Sequence, residues 1–362
     1  MARAFQALTT SDAAANGVLG SSVNALAQVD KGIAPLLERF GWEAGKGFTT
    51  TLDLAGFKIA LQRYKYYTLG QLGFGSYGTV SRAVNRETGE VVAIKKVVHS
   101  AEGGLSDSTV REVSSLRELS HDNIVSLREI IATVDGTHVY LVLECLDCDL
   151  RQFLDCRLGS LDAGTVKSIM FQVLRGVQHF HANSIMHRDL KPHNILIDKD
   201  GRRVKITDFG LARCFLPNDG RAYTEQVVTL YYRAPELLAG GRPFYSSAVD
   251  MWSVGCIMAE LLENSVLFQP NLDGSQGMPD TEIGVLRCMF EKLGTPVDLL
   301  TSMPVLAAFP TFQPKPLGQV VPRLAHDAAG LDLLSRLLTY DPRLRITAGQ
   351  ALQHPWFADV QL

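Results

Sequence analysis

The order of the secondary-structure patterns along the chain constrains its fold more than any other feature. From Tyr66 onward, short β-branched and aromatic runs bounded by turn residues predict strands, as at Val91–Ile94 and Val139–Leu143. After about residue 150 the pattern becomes mostly helical, most clearly over Val166–His181 and Val249–Leu262. Strands first and helices afterwards favour two segregated lobes with a cleft between them.

Composition and charge exclude several classes of protein. The chain has 362 residues, of which 46% are apolar and 20% charged, and this is enough material for a large core. The mix excludes a chain that is disordered throughout, a collagen-like chain and a disulfide scaffold. The net charge of -3 offers no electrostatic basis for binding nucleic acid, and no polybasic segment suggests a membrane surface.

The cysteines and the N-terminal region carry no recognisable chemistry. All 6 cysteines lie between Cys145 and Cys288, and we interpret them as reduced intracellular thiols. Cys145 and Cys148 form a C-x-x-C without the second pair that a zinc site needs. Residues 13–29 lack charge but are too polar for a membrane span. Residues 1–63 form either a regulatory arm or a variable extension, and we favour the extension.

A glycine-rich segment and a lysine come early in the strand-rich part. Gly73-Phe-Gly75-Ser-Tyr-Gly78 follows a strand start, and glycine lets the backbone approach a phosphate closely. The segment after Gly78 is strand-like, whereas a dinucleotide-binding turn would open a helix there. Lys95 ends an apolar strand and can place one cation at a phosphate site. Glu112, on a predicted helix over Ser108–Leu119 with Val110, Val113, Leu116 and Leu119 on one face, can pair with Lys95.

The segment His187-Arg-Asp189-Leu-Lys191-Pro-His-Asn194 is the most specific in the chain. Asp189 can accept a hydroxyl proton, and Lys191 can neutralise a phosphoryl group in transfer. Asn194 and the later Asp208, in Asp-Phe-Gly, offer the oxygen ligands that Mg²⁺ prefers. The two motifs in this order are very improbable by chance.

With these motifs the chain resembles the eukaryotic protein kinases over about residues 66–357. The resemblance implies an α+β, bilobal protein kinase fold, with a small antiparallel N-lobe sheet plus one helix and a larger, mainly helical C-lobe. It implies a kinase domain over 64–357, with the N-lobe at 64–146 and the C-lobe at 147–357, and a tail over 358–362. Glu236 and Arg345 look like the family's buried ion pair.

Within the kinases the chain is similar to the cyclin-dependent kinases, through Arg111-Glu112, Asp208–Arg213 and Val227–Arg233. Thr224 stands where that family carries its activating phosphothreonine. The resemblance implies a phosphate pocket of three arginines, Arg111, Arg188 and Arg213, each suited to paired contacts with phosphate.

The resemblance also assigns the nucleotide site and the inhibitory phosphosites. Glu144, Cys145 and Leu146 resemble the hinge that contacts adenine through backbone groups, and Asp149 would reach the ribose. Ser76 and Tyr77, at the tip of the glycine loop, stand where the family receives inhibitory phosphates. The remaining implied ATP contacts are Leu72, Gly73, Gly75, Gly78, Val80, Ala93 and Lys95.

The resemblance therefore implies a proline-directed Ser/Thr protein kinase that uses ATP and Mg²⁺. A cyclin-like subunit would activate it, its substrates would be proteins with Ser-Pro or Thr-Pro sites, and it would act inside the cell, in the nucleus, the cytoplasm or both. Two alternatives stay open. One is a pseudokinase scaffold, and the other is a cyclin-independent proline-directed kinase of the mitogen-activated type, against which the run Thr224-Glu-Gln226 counts. The stretch Gln269–Asp280 is either a docking insert or a solvated loop.

Overall fold

The computed structural model describes two compact units, each formed from two stretches of the chain. The first contains Met1–Val110 and Ser126–Cys145, and the second contains Arg111–Val125 and Leu146–Leu362. The residues described are 37, 39, 42–43, 47–48, 64–75, 78–98, 106–132, 138–157, 159–214, 230–239, 246–270, 281–296 and 309–360.

The first unit is built on a five-stranded antiparallel sheet with the strand order β3-β4-β5-β7-β6. A separate two-residue pair, β1 (Trp42–Glu43) and β2 (Gly47–Phe48), precedes it in the chain. β-Branched residues dominate the central strand, as expected where strands pack on both sides. The sheet strands are β3 (Tyr66–Gly75), β4 (Gly78–Asn85), β5 (Val91–Val98), β6 (Leu127–Ala132) and β7 (His138–Glu144).

The strand register divides the side chains between the two faces of this sheet. Gly73 pairs with Val80, Val80 with Lys95, and Lys95 with Leu141, so these residues form one row across four strands. Directly opposed residues in antiparallel strands share a face, and neighbours along a strand alternate between faces. The other face therefore carries a second row, Ile131, Tyr140, Lys96 and Thr79.

Gly78 is fixed by the sheet itself. Its φ is 129°, in the region that side chains disfavour, and a Cβ there would collide with the carbonyl oxygen of Lys96. Gly78, where the glycine motif enters β4, therefore has to be glycine for the strands to pack, whether or not a ligand binds near the loop.

The helix α1 (Asp107–Glu118) buries only part of the apolar face that we predicted. Ser106 caps it by accepting a hydrogen bond from Thr109 N at 3.2 Å. Of the residues predicted to share one face, Leu116 and Leu119 are buried, but Val110 is 49% exposed. Thr109 and Glu112 are buried as well. The prediction for Val110 was wrong because the inward face of this helix includes polar side chains, which apolar spacing does not detect.

The second unit is mainly helical, as predicted. Its longest helices are α3 (Ala163–Ala182), which Asp162 caps, and α5 (Ala248–Glu263). Every residue of α5 from Val249 to Leu262 is buried, which marks it as the central helix of this unit. The other helices are α2 (Leu150–Asp155), α4 (Pro235–Leu238), α6 (Glu282–Leu293), α7 (Leu317–Val320), α8 (Ala328–Leu337) and α9 (Ala348–Leu352).

Short strands place the loops that carry the sequence motifs. Strands β10 (Ile195–Ile197) and β11 (Val204–Ile206) form a hairpin, and β8 (Cys148–Asp149) pairs with β10. Strand β9 (Ile185–Met186) pairs with β12 (Arg213–Cys214). The pairing of β10 with β11 brings the end of the His187–Asn194 motif next to the residues before Asp208. The pairing of β9 with β12 brings the residues before His187 next to Arg213. The motifs therefore meet although they are far apart in sequence.

The predicted ion pair of Glu236 and Arg345 is confirmed. Arg345 Nη1 lies 2.8 Å from Glu236 Oε1, and Nη2 lies 3.0 Å from Oε2, in a bidentate arrangement that is almost fully buried. Removing one partner would leave a buried charge without its counter-ion and would cost about 3–5 kcal/mol of stability.

Gly176 generates a stability prediction. A Cβ on Gly176 would lie 2.8 Å from the carbonyl oxygen of Asn123 and 2.9 Å from Ile206 Cδ1, where α3 packs on β11. We expect Gly176→Ala to lower the free energy of unfolding by about 1–3 kcal/mol through overpacking, although alanine favours helix. Gly349→Ala is the control, because its Cβ would meet only the flexible Gln178 amide at 3.3 Å. Chemical unfolding measures both variants, and equal stability of the two would contradict the prediction.

Candidate functional site

The loop from His187 to Asn194 is fixed by hydrogen bonds of the His187 ring. His187 Nε2 lies 2.9 Å from the carbonyl oxygen of Thr207, which can only accept. Asp189 N donates to His187 Nδ1 at 3.3 Å. With these partners Nε2 donates and Nδ1 accepts, and the ring joins the loop to the residue that precedes Asp208.

The side chains of Lys191 and Asn194 both contact the carboxylate of Asp189. Lys191 Nζ lies 2.9 Å from Asp189 Oδ2, and Asn194 Nδ2 donates to the same oxygen at 3.0 Å and to the carbonyl oxygen of Asp189 at 2.8 Å. The lysine and the amide thus hold the Asp189 side chain in one orientation.

The hairpin of β10 and β11 brings Asp208 to the same place. Ile195 pairs with Ile206, and Thr207 N donates to the carbonyl oxygen of Asn194 at 3.0 Å. Asp208 follows with a left-handed backbone, φ 64°, and Phe209 is fully buried with its ring 4.9 Å from the His187 ring.

The residues present fit a divalent cation. Because the Asn194 amide nitrogen donates to Asp189, its oxygen is the end of the side chain left for other ligands. That oxygen and the Asp208 carboxylate are donors of the class that Mg²⁺ prefers.

Asp250 lies beneath the loop and was not assigned a role from the sequence. Its carboxylate is fully buried, accepts from His187 N at 3.0 Å and from Arg188 N at 2.8 Å, and lies 2.9 Å from His181 Nε2. Burial acts to raise the pKa of Asp250, but the hydrogen bond and charge of His181 and the other donors outweigh it, so the pKa lies below its usual value.

The three predicted pocket arginines lie along one stretch of backbone. Arg188 donates through Nε and Nη2 to the carbonyl oxygen of Leu211 at 2.8 and 2.6 Å, and Arg111 Nη1 donates to that of Gly210 at 3.4 Å. Arg213 follows in β12, and its buried Nε has no hydrogen-bond partner within the described part of the chain. Thr224 lies outside the described residues.

Beside Asp189 the surface has a small depression that sequence reasoning did not predict. Tyr232 is part of its wall and donates to the buried Glu260 at 2.5 Å, and Arg151 pairs with the same carboxylate at 2.6 Å. Burial raises the pKa of Glu260, and it also raises that of Tyr232. These three residues are far apart in sequence, and no motif connects them. The depression is lined by Arg188, Asp189, Leu190, Tyr232, Arg233, Leu237, Val249 and Ser253.

In the first unit, the sheet row described above carries several predicted nucleotide contacts. Lys95 and Ala93 are buried on the face that also bears Val80, and Ala93 pairs with Leu143 at the next strand. Leu72 is exposed, and Gly75 pairs with Gly78 where β3 turns into β4. Ser76 and Tyr77 lie outside the described residues.

The predicted hinge lies at the end of β7. Glu144 is buried and its N–H donates to the carbonyl oxygen of Ser126 at 2.9 Å, while Cys145 and Leu146 follow at the boundary of the units. Asp149, predicted to reach a ribose, accepts from Gln152 N at 2.8 Å and caps α2. Lys95 belongs to the first unit and Glu112 to the second, and the ion pair between them stays a prediction.

The described cysteines and helices show neither a disulfide, nor a metal cluster, nor a membrane span. Cys145, Cys148, Cys156, Cys256 and Cys288 form no disulfide bond. Burial and nearby carboxylates raise the pKa of Cys148, which makes it a poor nucleophile. Within the described ranges there is no cluster of three His, Cys, Asp or Glu side chains placed to bind a metal ion. Among the described helices, none has the length and apolar character needed to cross a membrane.

Comparisons with known proteins show the family to which the chain belongs. The family model of the protein kinase domain matches residues 66–357. The chain is 46% identical over 314 residues to "Cell division control protein 2 homolog 3" of Trypanosoma brucei brucei, and the match covers 84% of this chain and 95% of that protein.

Asp250 generates a pH-dependent prediction. At neutral pH we expect Asp250→Asn to lower the free energy of unfolding by about 1.5–3 kcal/mol, because hydrogen bonds to a buried charge are lost. The pKa of Asp250 is lower in the folded state, so its contribution is complete above the unfolded-state pKa and is lost as the pH falls through the folded value, which lies below 3.8.

Guanidinium unfolding of both proteins at each pH measures this difference. It should stay constant from about pH 5 upward and shrink only in stronger acid. A difference that grows on acidification would contradict the prediction.

Proposed function

Because the chain belongs to the cyclin-dependent kinase family of eukaryotic Ser/Thr protein kinases, we propose that it is proline-directed and activated by a cyclin-like subunit and by phosphorylation of Thr224. As a protein Ser/Thr kinase it transfers phosphate from ATP to protein substrates with the help of a divalent metal ion. The relative's name connects that protein with control of cell division, and we propose a role in the cell cycle for this chain too.

The proposal for catalysis rests on one observation, the contacts of Lys191 and Asn194 with the Asp189 carboxylate. Asp189, held at 2.9 Å from Lys191 Nζ, orients the substrate hydroxyl and accepts its proton. Lys191, beside the same carboxylate, neutralises charge on the phosphoryl group in transfer. Most of the rate enhancement in such a site comes from positioning and charge stabilisation.

We propose Mg²⁺ as the metal ion, held by Asn194 and Asp208. When bound, it would neutralise phosphate charge. The hydrogen bond from Thr207 N to Asn194 O supports this pairing, because it ties the two ligands to one hairpin.

For ATP we propose a site made by the glycine loop, the sheet face that carries Lys95 and Val80, and the hinge. Gly73, Gly75 and Gly78 would let the backbone approach the phosphates, and Lys95, paired with Glu112, would position them. Leu72, Val80 and Ala93 would contact the base, which Glu144, Cys145 and Leu146 would bind through backbone groups, and Asp149 would contribute at the ribose. In this proposal, phosphates on Ser76 and Tyr77 inhibit by placing negative charge beside ATP.

Regulation through Thr224 is supported by the three arginines. Arg188 and Arg111 already hold the backbone after Asp208, and Arg213 continues it. A phosphate on Thr224 would give their guanidinium groups a common partner and would couple α1 to the loop. A cyclin-like partner would dock on α1.

The alternatives are weaker. A pseudokinase scaffold would be expected to lack a catalytic residue, but Lys95, Asp189, Asn194 and Asp208 are all present. A mitogen-activated kinase would carry Thr-x-Tyr, where this chain has Thr224-Glu-Gln226.

We propose action in the nucleus, the cytoplasm or both, with residues 64–357 as the kinase domain and 1–63 as an extension.

Asp189 generates the prediction for catalysis. We expect Asp189→Asn to lower kcat by about 10²- to 10⁴-fold, because the general base is lost, with little change in the KM for ATP. Asp200→Asn is the matched control, since Asp200 is exposed in the turn between β10 and β11. Steady-state transfer from ATP to a peptide measures both. An Asp189→Asn enzyme of full activity would contradict the assignment.

Partner and substrate choice are tested in one assay. Transfer to a Ser-Pro-x-Lys peptide is measured with the chain alone and with each candidate cyclin, and phosphorylation of Thr224 is monitored. Activity should appear only with one cyclin. Replacing Pro by Ala should lower it about 5- to 150-fold, because the family resemblance implies that the backbone N–H, which proline lacks, would be left without a partner.

Strong activity of the chain alone would contradict cyclin dependence and favour the cyclin-independent kinase. Silence with every cyclin, while Thr224 is phosphorylated, would favour the pseudokinase.

A further inference from the structure

The face of the first-unit sheet opposite Lys95 contains a groove that the proposed function does not use. Its volume is about 650 Å³, within the range of ligand and peptide sites. The residues that line it within the described part of the chain all belong to the first unit, and the argument below uses Thr79, Ser81, Ile94, Lys96, Ile131 and Tyr140.

The floor of the groove is a straight row of side chains in strand register. Ile131, Tyr140, Lys96 and Thr79 stand opposite one another on β6, β7, β5 and β4. Four strands at their usual spacing give a row about 14 Å long, which equals about four residues of an extended peptide. Ile94, next to this row, packs on the buried cluster of Ala83, Val92, Ile131 and Val142, so the floor is apolar and firmly supported.

Lys96 places a cation in the middle of this apolar row. It is half-buried, and in the described part of the chain no side chain or carbonyl group pairs with its ammonium. Lys65, by contrast, pairs with Glu129 at 3.1 Å. The hydroxyl groups of Thr79, directly opposite Lys96, and of Ser81 lie on the neighbouring strand.

The described residues that line the groove carry charge of one sign. Arg39 adds a second, exposed cation at its margin, and none of the described residues that line it is acidic. A half-buried ammonium without a carboxylate loses hydration and gains no counter-ion, so an acidic ligand would be attracted here.

We propose that this groove binds an extended peptide segment of a partner protein, with an acidic side chain on Lys96 and an apolar side chain on Ile94 and Tyr140. The straight row favours an extended chain, because alternate residues of such a chain point to the same side. The hydroxyls of Thr79 and Ser81 complete the binding of the carboxylate. Lys95 points to the other face of the sheet, so the groove is a docking site separate from phosphate transfer.

The test uses the full chain and a fluorescein-labelled peptide of sequence Glu-Phe-Asp-Leu-Glu-Val. The control peptide replaces each acid by its amide, Gln-Phe-Asn-Leu-Gln-Val. Fluorescence anisotropy at low salt measures both. We expect the acidic peptide to bind with a Kd about fivefold lower or better, and we expect added salt to reduce this difference.

Variants assign the binding to the groove. Lys96→Met should raise the Kd of the acidic peptide about fivefold, and Thr79→Val should raise it less. Lys199→Met is the matched control, because it removes the same charge from an exposed position of the second unit and should leave the Kd unchanged. The melting temperature and phosphate transfer of Lys96→Met should match those of the parent chain, which shows that it is folded.

Several outcomes would overturn the proposal. Equal binding of the acidic and amide peptides, or no binding at millimolar peptide, would contradict it. An equal loss in Lys199→Met would reduce the effect to overall charge. Sedimentation that shows a dimer of the chain, lost in Lys96→Met, would make a second copy the occupant instead of a partner peptide.

Discussion

The loop from His187 to Asn194 depends on the buried carboxylate of Asp250, and the rest of the candidate site depends on that loop. It accepts from His187 N and Arg188 N and contacts His181, so three separate donors converge on one charge at the centre of the second unit. Arg188 has φ 68°, a conformation unfavourable for a side-chain-bearing residue, and two hydrogen bonds beside it offset this strain. From His187 the connection continues to Thr207, and from Thr207 to Asn194, so the positions of Asp189 and Asp208 depend on α5, which contacts the first motif through Asp250 and reaches the second only through His187 and Thr207. A fully buried helix such as α5 is suited to this task because its own position is fixed on all sides.

Much of the fold and of the motif set could be predicted from the sequence, but the residues that hold the motifs could not. The spacing of apolar residues predicted α3 and α5 within a few residues, because their buried faces are apolar. The same reasoning failed for Val110, since α1 buries Thr109 and Glu112 in its place. The residues that support the site, such as Asp250, Tyr232 and Glu260, act through contacts between distant parts of the chain. A single sequence gives residue types in order, and it does not say which buried carboxylate meets which donor.

Gly78 shows how one residue can satisfy two requirements, of which the sequence reveals only one. The glycine motif predicts a backbone that approaches phosphates closely. The sheet imposes a separate demand, because a Cβ at Gly78 would collide with the carbonyl oxygen of Lys96 on β5. A substitution there would therefore disturb the pairing of β4 with β5 even without nucleotide. Loss of activity in such a variant would not by itself show that the glycine contacts ATP.

The two lysines of β5 illustrate how the alternation of a strand separates two functions. Lys95 shares its face with Val80 and Leu141, and Lys96 shares the other with Thr79 and Tyr140. Because the side-chain period of a strand is two, a shift of the register by one residue would exchange the lysines between the faces. Lys95, which we propose positions the phosphates of ATP, and Lys96 in the groove are thus fixed by the same strand hydrogen bonds, and neither can move without the other. A partner bound across β4, β5 and β7 on the outer face would stabilise the register that keeps Lys95 in place, so occupancy of one face is physically coupled to the geometry of the other.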